Sequence, residues 1–462
     1  MDDLRDLLSY AAARAADYRE RAAETPVFPS EVNLEALRTA LSVLPAEPTA
    51  ARDVVTELAD LVQPALVAST GGRYFGFVTG AVLDAATAAD VLTTAWDQNA
   101  YSELTSPAAA VVEEVAGTWL KELLGLPAGA AFGFTTGAQG ANTVCLAAAR
   151  HGVLAAAGWD VERHGLAGGP RIRVVANGER HATVDQALRL LGLGADIVEP
   201  VATDANGAID VADLRRVLAQ AGAGPTIVCL QAGNVNTGAF DDFTSIVDAA
   251  GRHGAWVHVD GAFGLWAGAN PATAHLVAGI ERADSWATDG HKWLNVPYDC
   301  GYAFCAHPDS QAAAMSFRAA YLNSPGNGGL RTPGDYVLES SRRARGFATW
   351  AALRELGRHG VAQLVERCCA LARRFAAGLE AVEGISVVND VVLNQVLVRF
   401  GDDERTARVI EAVQRSGECW MGATTWHGMR LMRISVSSWR TTEADVDRSI
   451  ASILAAWEHA AS

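Results

Sequence analysis

Between about residues 131 and 306, short β-branched runs alternate with helical runs. Nothing else in the chain limits its fold as much. The candidate strands are AFGFTT (131–136), RIRVVAN (171–177), ADIVEPV (195–201), TIVCLQAG (226–233), AWVHVDGA (255–262), DSWATDG (284–290) and GYAFCA (301–306). Helical patterns such as VDQALRLLG, VADLRRVLAQAG and DFTSIVDAAGRHG lie between most of them. A helix that carries the chain back between strands lets the strands run the same way. The expected class is therefore α/β with a mostly parallel seven-stranded sheet. Half of the residues are apolar, enough for the large core such a sheet needs.

The flanks read differently. Residues 1–80 are mainly helical, with DLRDLLSYAAARAADYRER, LEALRTALSVLP and ARDVVTELADLVQPAL showing a 3.6-residue period. This segment has little core of its own and is expected to wrap around something else. Residues 81–345 form the large α/β domain. Within it, Ser106-Pro107 opens a long helix with Pro in the first turn, and NSPGNGGLRTPG (323–334) is loop-like. Residues 346–462 form a small α+β domain: a long helix from 346, then strands expected at 385–390, 391–400 and 429–438.

Composition removes several function classes. With 37 basic and 53 acidic residues the net charge is −16, and such a surface repels nucleic-acid backbones and anionic lipid. The start MDDLRDLLSY is acidic and lacks a signal peptide's basic and apolar regions, and no apolar run is long enough for a membrane span. The seven cysteines include no CxxC pair. The expectation is neither a disulfide framework nor a metal site, but free thiols in a reducing cytoplasm.

Only two lysines, Lys121 and Lys292, stand against 35 arginines. Lys121 lies in the amphipathic TWLKELLG and reads as a solvated surface residue. Lys292 lies in DGHKWLNVPYDCG, which is not a helical face. Arginine cannot replace an amine that must lose its proton and attack a carbonyl, so Lys292 is a candidate catalytic amine.

In a doubly wound sheet, ligands sit outside the carboxyl ends of the strands. Read in order, those ends carry Gly137-Ala138-Gln139-Gly140-Ala141-Asn142, then Gly178-Glu179-Arg180-His181, then Asn234-Val235-Asn236-Thr237-Gly238, then Asp260-Gly261-Ala262, then Asp289-Gly290-His291-Lys292. Each has a plain structural reading. The Gly loop can be a tight connection, His181 a residue of a first helical turn, Asp260 a buried carboxylate satisfied by backbone, and His291 a core residue. Together they supply an amine, a carboxylate and a helix-start phosphate cradle, the set that pyridoxal phosphate requires.

The chain resembles the group II pyridoxal-phosphate-dependent amino-acid decarboxylases, which have the aspartate-aminotransferase-like fold (fold type I). The resemblance spans roughly 20–450. It is carried chiefly by VHVDGAFGLW (257–266), by HKWLNVPYDCG (291–301) and by the 31 residues separating Asp260 from Lys292. It implies Lys292 as the Schiff-base lysine, Asp260 as partner of the pyridine nitrogen, Ala262 packed against the ring and His181 stacked on its face. Ala138 and Gln139 then bind the phosphate with His291, and Tyr321 in MSFRAAYLNS is the proton-donating tyrosine. Phe77, Val78 and Thr79 would line the substrate wall, Asn99 and Tyr101 would come from a neighbouring subunit, and Arg433 matches a C-terminal arginine position. Two positions depart from the pattern. Gly233-Asn234-Val235 replaces a Gly-Thr-Thr run, leaving the cofactor contact of Asn234 open, and Asp289-Gly290 precedes His291-Lys292. Asp289 can serve the phosphate region or only the turn.

The implied activity is decarboxylation of an L-amino acid to amine and CO₂ in a homodimer with shared active sites, with an aromatic substrate ranked first. Acidic or diamino substrates are the alternative, followed by an aminotransferase or aldehyde-forming reaction; a non-catalytic cofactor binder ranks below these. In this family, Phe in place of the loop tyrosine favours aldehyde, so Tyr321 points to the amine.

Overall fold

The computed structural model describes residues 3–29, 34–220, 224–317 and 331–460. They divide into two units, one made of Met1–Ala81, Arg373–Val388 and Val396–Ser462, the other of Val82–Ala372 and Asn389–Gln395.

The larger unit is built on seven strands: β1 Ala131–Thr135, β2 Arg173–Asn177, β3 Val198–Val201, β4 Thr226–Gln231, β5 Trp256–Asp260, β6 Ser285–Asp289 and β7 Gly301–Cys305. Their order across the sheet is β1-β7-β6-β5-β4-β2-β3. Strand β7 runs antiparallel to both its neighbours, and β6, β5, β4, β2 and β3 are mutually parallel. Because two antiparallel pairings flank β7, β1 points the same way as β6. The carboxyl ends of β1, β2, β4, β5 and β6 therefore open on one rim. Every residue of β1 and of β4 to β7 is buried, as expected for a sheet covered on both faces. Trp266, Trp286, Trp293, Phe134, Phe304 and Tyr302 are the largest wholly buried side chains around it, each worth about 1.5–3 kcal/mol of hydrophobic burial. The Tyr302 hydroxyl meets Thr349 Oγ1 at 2.9 Å, so its polar end is not orphaned.

Helix starts follow local chemistry. Ser106 caps Pro107–Leu123 by accepting from the Ala109 N–H, with Pro107 at the first position. Helix Gly346–Glu380 begins where the pattern predicts and is interrupted by a non-helical Gly357. Three features differ from expectation. A helix at Asp84–Trp96 is rich in Ala and Thr, and Val91, Leu92 and Trp96 are exposed on it, so it has no clear apolar stripe to read. A strand at Gly422–Trp426 has two threonines between its buried ends, too weak an alternation to signal itself. Lys121 is buried rather than solvated. Its Nζ donates to the carbonyls of Ala128 at 2.6 Å and Ala130 at 2.8 Å, fastening the turn that enters β1, and burial lowers its pKa.

In the smaller unit, helices Leu4–Arg21, Leu34–Leu41 and Ala51–Val62 bury none of their described residues. A four-stranded sheet of β8 Ile385–Val387, β9 Gln395–Phe400, β10 Gly422–Trp426 and β11 Met429–Ser435 has the order β10-β11-β9-β8. Helix Glu443–His459 starts in a reciprocal cap between Thr442 and Asp445.

The larger unit also encloses a charge. Arg342 donates to Glu113 Oε2 at 2.8 Å and to the carbonyls of Ala100 and Phe134, each at 2.8 Å. Both side chains are sealed from solvent. Removing one partner strands the other in low dielectric. Glu113→Ala should therefore cost about 3–5 kcal/mol in urea unfolding, whereas Arg343→Ala, which breaks a one-third-exposed pair with Asp90, should stay within about 1 kcal/mol. Equal losses would contradict this account.

Candidate active site

Five chain segments meet the rim where β1, β2, β4, β5 and β6 end. Asp289 closes β6, and the helical turn Gly290–Trp293 follows it. This puts Lys292 three residues on, with its Nζ 3.0 Å from Asp289 Oδ2. The other oxygen, Oδ1, accepts from the Ala138 N–H at 2.5 Å, at the start of helix Ala138–Ala156. His291 Nδ1 accepts from the Cys300 N–H at 3.1 Å. That leaves the imidazole proton on Nε2, 3.4 Å from Asp289 Oδ1. Burial pushes the His291 pKa down, and its ring stacks on Tyr298 with centroids 4.3 Å apart. Gly137 makes this junction possible. A Cβ there would lie 3.1 Å from the His291 ring and 3.2 Å from Asp289 Oδ1.

Asp260 ends β5 and is buried. Burial raises its pKa, while the charges of His181 and Lys292, an Asn142 hydrogen bond and the Ala262 N–H lower it. Ala262 donates to Asp260 Oδ1 at 3.2 Å and accepts from the Asp289 N–H at 2.9 Å, tying the two strand ends together. His181 caps helix Ala182–Leu190. Its Nδ1 lies 2.8 Å from Thr183 Oγ1 and accepts from the Thr183 N–H. Gln139 is exposed at its helix start. The structure thus brings Lys292, His291, Asp289, Ala138, Asp260, Ala262 and His181 to one rim.

Other expected residues are engaged elsewhere. Asn234 is buried, its Oδ1 accepting from the Asn236 and Thr237 N–H groups and its amide donating to Glu179 O and Gln231 Oε1. Asn99 Oδ1 accepts from the N–H groups of Tyr101 and Arg342. Tyr101 is buried, with its ring 6.0 Å from Phe317 and its carbonyl bound by Gly334 N–H. In the smaller unit, Phe77 and Val78 both have left-handed backbones, with φ of 55° and 58°. Such conformations cost non-glycine residues on the order of 1–3 kcal/mol. Phe77 is 62% exposed and tilts against Trp420, Val78 is buried, and the Thr79 N–H closes the turn on Gly76 O. Arg433 pairs in register with Gly422, and burial lowers its pKa. Tyr321 lies outside the described residues.

Three buried residues behind Asp260 were not predicted: Asn142, His258 and Ser285. The signal was present in WVHVD, where polar residues recur at every second position of an otherwise apolar strand.

Comparison with known proteins gives a consistent picture. The family model described as "Pyridoxal-dependent decarboxylase conserved domain" matches residues 35–400. Tryptophan decarboxylase 1 of Oryza sativa subsp. japonica is 29% identical, over 95% of this chain and 90% of its own. Acidic amino acid decarboxylase GADL1 of Mus musculus is 30% identical over 65% of this chain and 55% of its own. A crystal structure of Oryza sativa TDC with PLP and tryptamine superposes with a TM-score of 0.92 at 26% identity, covering 99% of this chain and 98% of the other.

Two buried groups give the molecule opposed pH responses. Burial holds His258 down at about 3, so the unfolded chain takes up a proton below about pH 6.5 that the fold refuses. Stability from this group is lost as pH falls from about 6.5 towards 3. Burial pushes Asp241 up to about 7, against two backbone N–H donors at 2.7 Å. Its contribution is lost as pH rises from about 4 to 7. His258→Gln removes only the first response. The stability deficit of that variant should shrink by about 1.4 kcal/mol per pH unit between pH 6.5 and 5. Unfolding curves with a constant gap across that range would refute the assignment.

Proposed function

Because this chain belongs to the pyridoxal-dependent decarboxylase family, whose members are carboxy-lyases acting on amino acids with pyridoxal 5′-phosphate, we propose that it converts an aromatic L-amino acid to its amine at the rim formed by Lys292, Asp289, Asp260 and His181. One observation carries the site assignment: the Lys292 amine and the amide that opens helix Ala138–Ala156 share a single buried carboxylate, Asp289.

The residues fit the cofactor. A Cβ at Gly137 would fill the space beside His291 and Asp289, and the helix start there offers backbone N–H groups suited to an anion. Bound there, pyridoxal 5′-phosphate supplies a carbonyl for amines and a protonated ring that accepts the electron pair of a breaking Cα–carboxylate bond. Lys292 is the amine that holds it. Asp260 would keep a proton at the ring nitrogen: burial raises its own pKa, and a cationic ring nitrogen beside it would be the partner that holds the carboxylate ionised. The Ala138 and Gln139 amides with His291 Nε2–H would take the phosphate, Ala138 and His291 exchanging Asp289 Oδ1 for it, and His181 with Ala262 would enclose the ring. Tyr321 returns the proton to Cα. Asn99 and Tyr101 are assigned to the substrate; in the smaller unit, the strained Phe77-Val78 turn supports a role that needs a side chain aimed at some cost.

The aromatic choice is supported by likeness to a tryptophan decarboxylase along nearly the whole chain, whereas the acidic amino acid decarboxylase matches about two-thirds of it. A homodimer is supported by the first three helices, which leave Leu4, Leu8, Leu34, Leu41 and Leu58 exposed and need a surface to cover them. Seven free, buried cysteines support a reducing cytoplasm. Among the described residues no helix is long and apolar enough to cross a membrane.

Incubation of the holoenzyme with aromatic, acidic and diamino L-amino acids, read by mass spectrometry, should give the amine from the aromatic members. Amine from glutamate or diaminobutyrate alone would overturn the substrate class. Lys292→Ala should abolish turnover, and Tyr321→Phe should divert product towards aldehyde; an unchanged amine yield would remove Tyr321 from its role. Sedimentation should give twice the 48.5 kDa chain mass.

A further inference from the structure

His181 occupies the N-cap position of helix Ala182–Leu190, where a small oxygen-bearing side chain is the usual choice. An imidazole can serve there only by offering a bare ring nitrogen. The Thr183 N–H donates to His181 Nδ1 at 3.3 Å, and Thr183 Oγ1 lies 2.8 Å from the same atom. A backbone N–H can only donate. Nδ1 is therefore an acceptor, the hydroxyl beside it must donate as well, and in the neutral ring the one proton lies on Nε2.

The same direction continues inward. With its own hydrogen on Nδ1, Thr183 Oγ1 accepts from Asn142 Nδ2 at 3.4 Å. Asn142 Oδ1 faces His258 Nε2 at 2.9 Å, which must then carry a proton, so His258 Nδ1 accepts from Ser285 Oγ at 3.0 Å. Ser285 Oγ in turn accepts from Trp256 Nε1 at 3.0 Å, and an indole nitrogen can do nothing but donate. The hydrogen bonds thus run one way from Trp256 to His181, and the donors at the two ends agree. Asn142, His258 and Ser285 have no solvent exposure, so these bonds are made away from water.

We propose that Thr183 is a positioning residue for His181: its hydroxyl, oriented from behind by Asn142, holds Nδ1 as an acceptor and leaves Nε2–H as the ring's donor. His181 then acts as a hydrogen-bond donor and not as a base. The kinetic part of this inference rests on the reading of His181 as a residue that encloses the cofactor ring. The state of the imidazole does not, since it is measured in apoprotein.

Thr183→Val removes the hydroxyl and keeps the side-chain shape and the backbone N–H, whereas Thr183→Ser keeps the hydroxyl. In apoprotein carrying ¹⁵N-histidine, His181 should be protonated at Nε2 and bare at Nδ1. Its Nδ1 resonance should move towards that of an unbonded ring nitrogen in Thr183→Val and stay in place in Thr183→Ser. In the holoenzyme, Thr183→Val should lower kcat about tenfold, as expected for loss of one hydrogen bond, and Thr183→Ser should recover most of it. In a His181→Phe background, which keeps a flat ring without Nδ1, adding Thr183→Val should cost nothing more.

A proton on Nδ1, an Nδ1 resonance equal in all three proteins, a further loss in the His181→Phe background, or full turnover in Thr183→Val while His181→Phe is impaired would each overturn the inference. Thermal unfolding provides the control: if kcat simply follows the melting temperatures of the two Thr183 variants, Thr183 is structural only. Undiminished turnover in His181→Phe would instead overturn the cofactor reading of His181, with Thr183 then judged by the two NMR results.

Discussion

Asp289 is the interaction on which the rim depends. Its two oxygens hold the first amide of helix Ala138–Ala156, the Lys292 amine and the His291 Nε2–H. Its backbone adds two more ties, an N–H to Ala262 O and a carbonyl that accepts from Trp266 Nε1. One buried residue thus joins the ends of β1, β5 and β6 through its side chain and its backbone. A carboxyl group at 2% exposure is tolerable only with such partners, so the same polar group that is expensive to bury also fixes the geometry.

The neighbouring polar residues obey the same constraint. Ser285, His258, Asn142 and Thr183 are buried or partly buried beside an otherwise apolar sheet, and each meets the next. A network of that kind is stabilising only when complete. In the larger unit it lies on the face of β5 that also carries Asp260. Elsewhere in the unit, Arg342 binds two backbone carbonyls as well as Glu113 within a buried ion pair.

The smaller unit shows what happens where packing partners are lacking. Its first three helices have regular amphipathic patterns yet bury none of their described residues. Helix periodicity predicts a face, and only a partner surface makes that face a core. The Phe77-Val78 turn is a different departure: two non-glycine residues sit in left-handed conformations, a strain that local sequence preference opposes and surrounding structure must hold.

The fold class was legible in the residues alone, because β-branched runs separated by amphipathic runs have few other ways to bury themselves. The sequence also pointed to the strand ends as the candidate site, since Asp260 ends β5 and Gly137, His181 and Lys292 lie within four residues after β1, β2 and β6. The unusual scarcity of lysine marked Lys292. The tertiary structure alone decided how those groups are used. Lys121, in an amphipathic pattern that reads as solvated, caps two carbonyls; Asn234 uses its oxygen within its own loop and its NH₂ on Glu179 and Gln231; and Asp289, legible only as a turn or phosphate residue, becomes the common acceptor. The physical reason is the same in each case. Periodicity reports which face of an element is buried, but a side chain's hydrogen-bond partners come from segments far apart in the chain, and their identity exists only once the sheet has brought those segments together.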